Sequence, residues 1–202
     1  MNSVKSSGRS RVKAISRIGM LGAVAFVLMY FQVPLAFVAP SFMKFDFSDL
    51  PILVGAFTMG PVAAVAISAL KNVLHILIQG THTGGIGPLS NFIVGSIFAV
   101  TAGVIYRGNK TFKNAIIGLT VGVLLMTASA VVSNYFFIFP LYAKLFMPME
   151  AIIGAGSAIT PKINSLWTMM IYSIIPFNLI KGFVVSIVTI LVYKKISPLL
   201  KG

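Results

Sequence analysis

The chain of 202 residues contains no cysteine, which excludes disulfides, thiolate metal sites and cysteine catalysis. It has three carboxylates, Asp46, Asp49 and Glu150, and none falls inside a span that the sequence predicts. The phosphate loop G-x-x-x-x-G-K-[ST], H-E-x-x-H and G-x-S-x-G are all absent. A carrier made of this chain alone therefore cannot use ATP; it needs a partner or an ion gradient. Ion-coupled carriers commonly show buried carboxylates or two related halves, and the sequence displays neither. Charge of any kind is scarce. Only 9% of residues are charged, against roughly 25% in a soluble domain.

What fills the chain is apolar. Hydrophobic residues make up 57%, and mean hydropathy is +0.98. A soluble globular protein and a disordered chain are both excluded. Several apolar runs approach the roughly 20 residues that cross a bilayer as helix. The expected class is all-α, a polytopic membrane protein with six transmembrane helices. Residues 1–13 are expected to form a basic cytoplasmic segment, and residues 14–202 a single six-helix domain. No space remains for a nucleotide-hydrolysing module. The net charge of +13 resembles a nucleic-acid footprint. The basic residues instead cluster at the ends of apolar runs, where they orient membrane proteins, so no nucleic-acid partner is expected.

Helix 1 is predicted over about Ala14 to Phe31, as a retained helix rather than a cleaved signal. A loop follows from Gln32 to Ser48. Leu50 to Gln79 is apolar but broken at Gly60-Pro61, because proline removes a backbone donor and disfavours helix just before it. Further helices are predicted over about Pro88 to Tyr106, Ala115 to Phe139 and Leu166 to Tyr193, with a mixed segment from Pro140 to Ser165. Charge chooses between five and six spans. If Gly60-Pro61 is a turn, eleven basic residues lie inside, from Lys5 to Arg17, at Arg107, Lys110 and Lys113, and at Lys194, Lys195 and Lys201. Three lie outside, Lys44, Lys144 and Lys162. The positive-inside rule favours six spans with both termini cytoplasmic, leaving helix 2 only about ten residues long.

Lys71 and Lys181 are the basic residues that fall inside predicted spans, where a charge costs about 2.5–3.5 kcal/mol on insertion scales. Such residues face a cavity or a partner. Asn178 and Lys181 share a helix face just after Pro176 and read as a ligand clamp. Ser133-Asn134-Tyr135 lies in the outer half of helix 5, Asn91 lies early in helix 4, and helix 3 carries Asn72, His75 and Gln79 beside Lys71. For Asn72, Asn91 and His75 the competing reading is helix-to-helix hydrogen bonding. For Lys71 it is snorkelling or pairing with Asp46 or Asp49. His75 lacks a second ligand at metal spacing, so no metal is expected. Helix 1 has Gly19, Gly22, Ala23 and Ala25, with Gly19 and Ala23 at small-xxx-small spacing suited to close helix approach.

Five stretches stand in order along the chain: Lys44-Phe-Asp-Phe-Ser-Asp-Leu-Pro51, Lys71-Asn72, Gly87-Pro-Leu-Ser-Asn91, Ser133-Asn134-Tyr135 and Pro176-Phe-Asn-Leu-Ile-Lys181-Gly182. In these stretches the chain resembles the substrate-binding S components of energy-coupling factor (ECF) vitamin transporters, in particular the riboflavin-specific type. The resemblance implies six helices and a vitamin site in the outer half, covered by the loop after helix 1. It implies riboflavin as transported ligand, with no cofactor and no enzyme activity. Asn134, Asn178 and Lys181 are the implied polar contacts, with Asn91 and Tyr135 beside them and Leu50 and Phe45 to Phe47 as loop-side wall. It also implies a bacterial cytoplasmic membrane location and docking on a membrane coupling subunit that joins two cytoplasmic ATPases. The family docking motif is usually alanine-x-x-x-alanine; Gly19 and Ala23 hold its two places here. A different vitamin, a stand-alone facilitator, an intramembrane enzyme and a ligand-free structural subunit are the rival readings.

Overall fold

The computed structural model describes residues 2–81 and 83–200, so Lys201, counted above among the inside charges, lies outside the described residues. Helix α1 spans Asn2–Tyr30. It begins well before Ala14: the apolar run marks only the part that enters lipid, and lysine and arginine are good helix formers that carry the backbone ladder into water. The following loop is tied by a two-residue antiparallel ribbon, β1 (Val33–Pro34) against β2 (Lys44–Phe45). It is the one departure from an all-α chain among the described residues.

Helix α2 (Asp49–Met59) and helix α3 (Pro61–Leu74) meet at Gly60, whose φ of 98° is open to glycine and strained for other residues. Pro61 then starts α3 at a position where its missing N–H is not needed. The Gly60-Pro61 turn is therefore real, and α2 is short, at 11 residues. Helix α3 runs on through a wide π-turn, His75–Gln79. Helix α4 is Ile86–Gly108 and α5 is Phe112–Ser133.

The predicted break at Pro140 does not occur. A π-turn over Asn134–Ile138 shifts the hydrogen-bond register, and Phe139 N–H reaches back to the Asn134 carbonyl. Pro140 thus enters near the start of a fresh helical segment, α6 (Phe139–Leu145), where proline is tolerated. The segment predicted as mixed also holds a helix, α7 (Met149–Ser157). The last pass repeats the device: α8 (Leu166–Met169), a π-turn over Met170–Ile174, then α9 (Ile175–Leu200) with Pro176 in its first turn.

Five stretches among the described residues are long and apolar enough to cross a membrane, and α2 is a shorter apolar sixth. Together they give a six-pass polytopic bundle. Helix α4 packs against α2, α3 and α5, while α9 closes the bundle against α2 and α5. Ile52, Ile67, Phe98, Leu119, Met126 and Val185 fill the resulting core. Large apolar side chains such as Phe136, Phe183 and Leu191 face outward, as lipid-facing residues do.

Candidate functional site

A cavity of about 550 Å³ lies at the end of the bundle that carries the 32–48 loop. Loop residues Ser41 to Lys44 and Asp46 wall one side. His75 and Gln79 from the first π-turn, Asn91 from α4, Asn134 from the second π-turn, and Asn178 and Lys181 from α9 supply its polar groups. Phe42, Phe139 and Phe177 are among its apolar walls.

Asn134 and Asn178 are placed alike. Each amide nitrogen donates to a carbonyl four residues back, Asn134 to Ala130 O at 2.7 Å and Asn178 to Ile174 O at 2.8 Å. That bond fixes the amide plane and leaves each Oδ1 as an acceptor at the cavity. Asn72 makes the same bond to Ser68 O at 2.8 Å, yet it lies off the cavity, and its Oδ1 is buried without a partner among the described residues.

The charged groups form one cluster. Asp49, only 2% exposed, accepts from Lys71 Nζ at Oδ1 (3.2 Å) and from Lys181 Nζ at Oδ2 (2.9 Å). Lys71 Nζ also donates to Ser48 Oγ at 2.7 Å and to Asn91 Oδ1 at 2.8 Å. Ser48 in turn donates its N–H (2.8 Å) and its hydroxyl to Asp46 Oδ1. Sequence reasoning set Asp49 at the end of a loop. The structure puts it in the first turn of α2 and buries it, which the two lysines make possible by balancing its charge.

Of the residues that the sequence singled out, Asn91, Asn134, Asn178 and Lys181 come together on the cavity. Phe45, Leu50 and Tyr135 do not line it. Side chains alternate along the β2 strand, so Lys44 and Asp46 face the cavity while Phe45 turns into the core, its ring 4.9 Å from that of Phe47. Leu50 follows Asp49 on α2, half-buried. Tyr135 packs edge-on against Trp167 at 5.9 Å. The cavity residues that were missed, Phe42, Phe139 and Tyr142, are aromatics that look like any lipid-facing residue in sequence. His75 and Gln79 were visible as a polar stripe on α3.

The small residues of α1 separate into two faces. A side chain at Gly22 would meet Leu70 at 2.5 Å, and Ala25 is fully buried. Gly19 has nothing within 4 Å of an added Cβ, and Ala23 is exposed. The Gly19–Ala23 face is therefore open along the bundle.

A cavity of mixed lining, with two amide oxygens and an ammonium set among aromatic walls, suits a partly apolar organic molecule with hydrogen-bonding edges. Residues 13–193 match the family described as ECF transporter, substrate-specific component. The chain is 36% identical to the riboflavin transporter RibU of Staphylococcus aureus over 201 residues, covering 100% of this chain and 99% of that protein. It is 33% identical to the riboflavin transporter FmnP of Bacillus subtilis over 189 residues, with 93% and 94% covered. Its fold matches the solved structure described as "Structure and mechanism of the S component of a bacterial ECF transporter" at a TM-score of 0.73 and 36% identity, covering 95% of this chain and 99% of that one. These relatives are transport proteins, not enzymes. The chain belongs to the substrate-specific S components of ECF transporters.

Proposed function

We propose that this chain binds riboflavin in the cavity between the 32–48 loop and α9 and delivers it inward as part of an ECF vitamin transporter. The observation that carries this reading is the cavity itself. Its volume of about 550 Å³ falls in the roughly 300–1,000 Å³ range of sites for small organic ligands. Its chemistry fits a flavin: the isoalloxazine ring is flat and largely apolar with a polar pyrimidine edge. The aromatic walls take the ring faces, and Asn134 Oδ1, Asn178 Oδ1 and the Lys181 ammonium supply an acceptor and donor set for the edge and the hydroxylated chain. The names of the relatives, riboflavin transporters both, support the same ligand.

In this reading the chain sits in a bacterial cytoplasmic membrane with both termini and the Arg107–Lys113 turn inside and the cavity open outside, as the basic clusters favour. Residues 1–13 are the cytoplasmic leader of a single six-helix domain, 14–202. The open Gly19–Ala23 face docks on a membrane coupling subunit that carries two cytoplasmic ATPases. The small side chains there let a partner helix come close. Expression of the chain in riboflavin-supplied cells and purification in detergent tests the ligand. A yellow protein with a flavin absorption spectrum is expected; a colourless protein that stays colourless after incubation with riboflavin refutes the reading.

A further inference from the structure

Both aspartates of the chain meet both bundle-embedded lysines in one place, and one carboxylate is divided between the two cations. Lys181 lines the cavity, and Asp49 is its only ion-pair partner among the described residues. We propose that Asp49 is the positioning residue of the binding site: it holds the Lys181 ammonium at the cavity wall through Oδ2, while Lys71 and α4 hold Asp49 itself in place. The proposal rests on the reading of the cavity as a flavin site and adds to it the group that sets its key donor.

A lysine has a flexible four-carbon stem, and an unanchored ammonium within a bilayer swings toward the nearest water. Binding that uses such a donor must first fix it, at a cost in side-chain entropy. Asp49 removes that cost in advance, because its carboxylate cannot turn. Its Oδ1 is taken by Lys71, which is itself tied to Ser48 on the loop side and Asn91 on α4. The same Oδ1 lies against α4 at Gly95, where an added Cβ would stand 2.9 Å from it. Glycine at that position lets the carboxylate approach the helix. The chain of contacts thus passes rigidity from α3 and α4 through the start of α2 to one ammonium on α9. That ammonium has three N–H donors, and Asp49 takes one, so donors remain for a ligand.

A double-mutant cycle on the purified full chain tests this, with riboflavin affinity read by flavin fluorescence quenching and ligand-free thermal stability read beside it. The variants are Asp49→Asn, Lys181→Met and their combination. An amide offers one oxygen where two lysines need one each, so Asp49→Asn is expected to weaken riboflavin binding at least about tenfold. In the Lys181→Met background the same change is expected to cost no further affinity, because Asp49 acts through Lys181. Losses that multiply, or wild-type affinity in Asp49→Asn, overturn the proposal. Asp49→Glu guards against a misfolded single variant, since it keeps a carboxylate with an oxygen for each lysine. Affinity closer to wild type than that of Asp49→Asn is expected there; affinity no better than that of Asp49→Asn overturns the assignment. Failure of the wild-type chain to bind riboflavin at all would remove the functional reading and this inference together. Wild-type binding without the coupling would remove the inference alone.

Discussion

Lys71 and Lys181 share one carboxylate and differ in almost everything else. Lys71 is fully buried, and its three donors are spent on Ser48, Asn91 and Asp49. Lys181 is 8% exposed, lines the cavity and has Asp49 as its ion-pair partner. A buried cation with every donor satisfied is architecture: it locks α3 to α2 and α4. A buried cation with donors left at a cavity wall is available to a ligand. Hydropathy cannot tell the two apart, since both are single lysines in apolar runs, and only the count of satisfied donors does.

The contrast breaks most visibly at Lys71. Lys71→Met leaves Ser48, Asn91 and one oxygen of Asp49 without their shared donor, and each buried polar group left unsatisfied costs about 1–3 kcal/mol. A large drop in the melting temperature of the ligand-free chain is expected. An unchanged melting temperature would erase the distinction between the lysines. At Lys181 the effect should move from stability to affinity. Asp49 keeps Lys71 when Lys181 is removed, so Lys181→Ala leaves no orphaned carboxylate. Riboflavin affinity should fall on the order of 10- to 100-fold, as about 1.4 kcal/mol corresponds to tenfold, with little change in melting. Asn178→Ala removes a neutral acceptor and should lower affinity by a smaller factor, about 1 kcal/mol in the same titration. The smallest effect on the isolated chain belongs to Gly19→Leu and Ala23→Leu. They alter an open face remote from the cavity, so binding should persist while riboflavin uptake by whole cells is lost. Loss of binding in both would show that this face packs within the chain.

The legible parts of the sequence were those set by local signals. Gly60-Pro61 marked the turn between α2 and α3, because a positive φ and a missing N–H act within two residues. The basic clusters separated six passes from five. Asn91, Asn134, Asn178 and Lys181 stood out because polar groups are costly in apolar helices. What was hidden depends on contacts between distant segments or on a shift of backbone register. Pro140, which looked like a helix break, is absorbed by the π-turn ahead of it, and Pro176, inside the last predicted helix, follows a π-turn in the same way. Phe45 was placed on the ligand side, and strand alternation in a two-residue ribbon turned it inward. The pairing of Lys71 with Asp49 was among the readings that the sequence offered, but the burial of Asp49 and its second partner Lys181 were hidden, because they depend on lysines 22 and 132 positions further along the chain.

The central claim is that the cavity under the 32–48 loop is a riboflavin site. Equilibrium titration of the purified chain with riboflavin, followed through the fluorescence of the flavin, tests it directly. Saturable quenching at one flavin per chain is predicted, as expected for a ring enclosed by Phe42, Phe139 and Tyr142 beside Lys181. Fluorescence that falls only in proportion to dilution, with no saturation at any protein concentration, would contradict it.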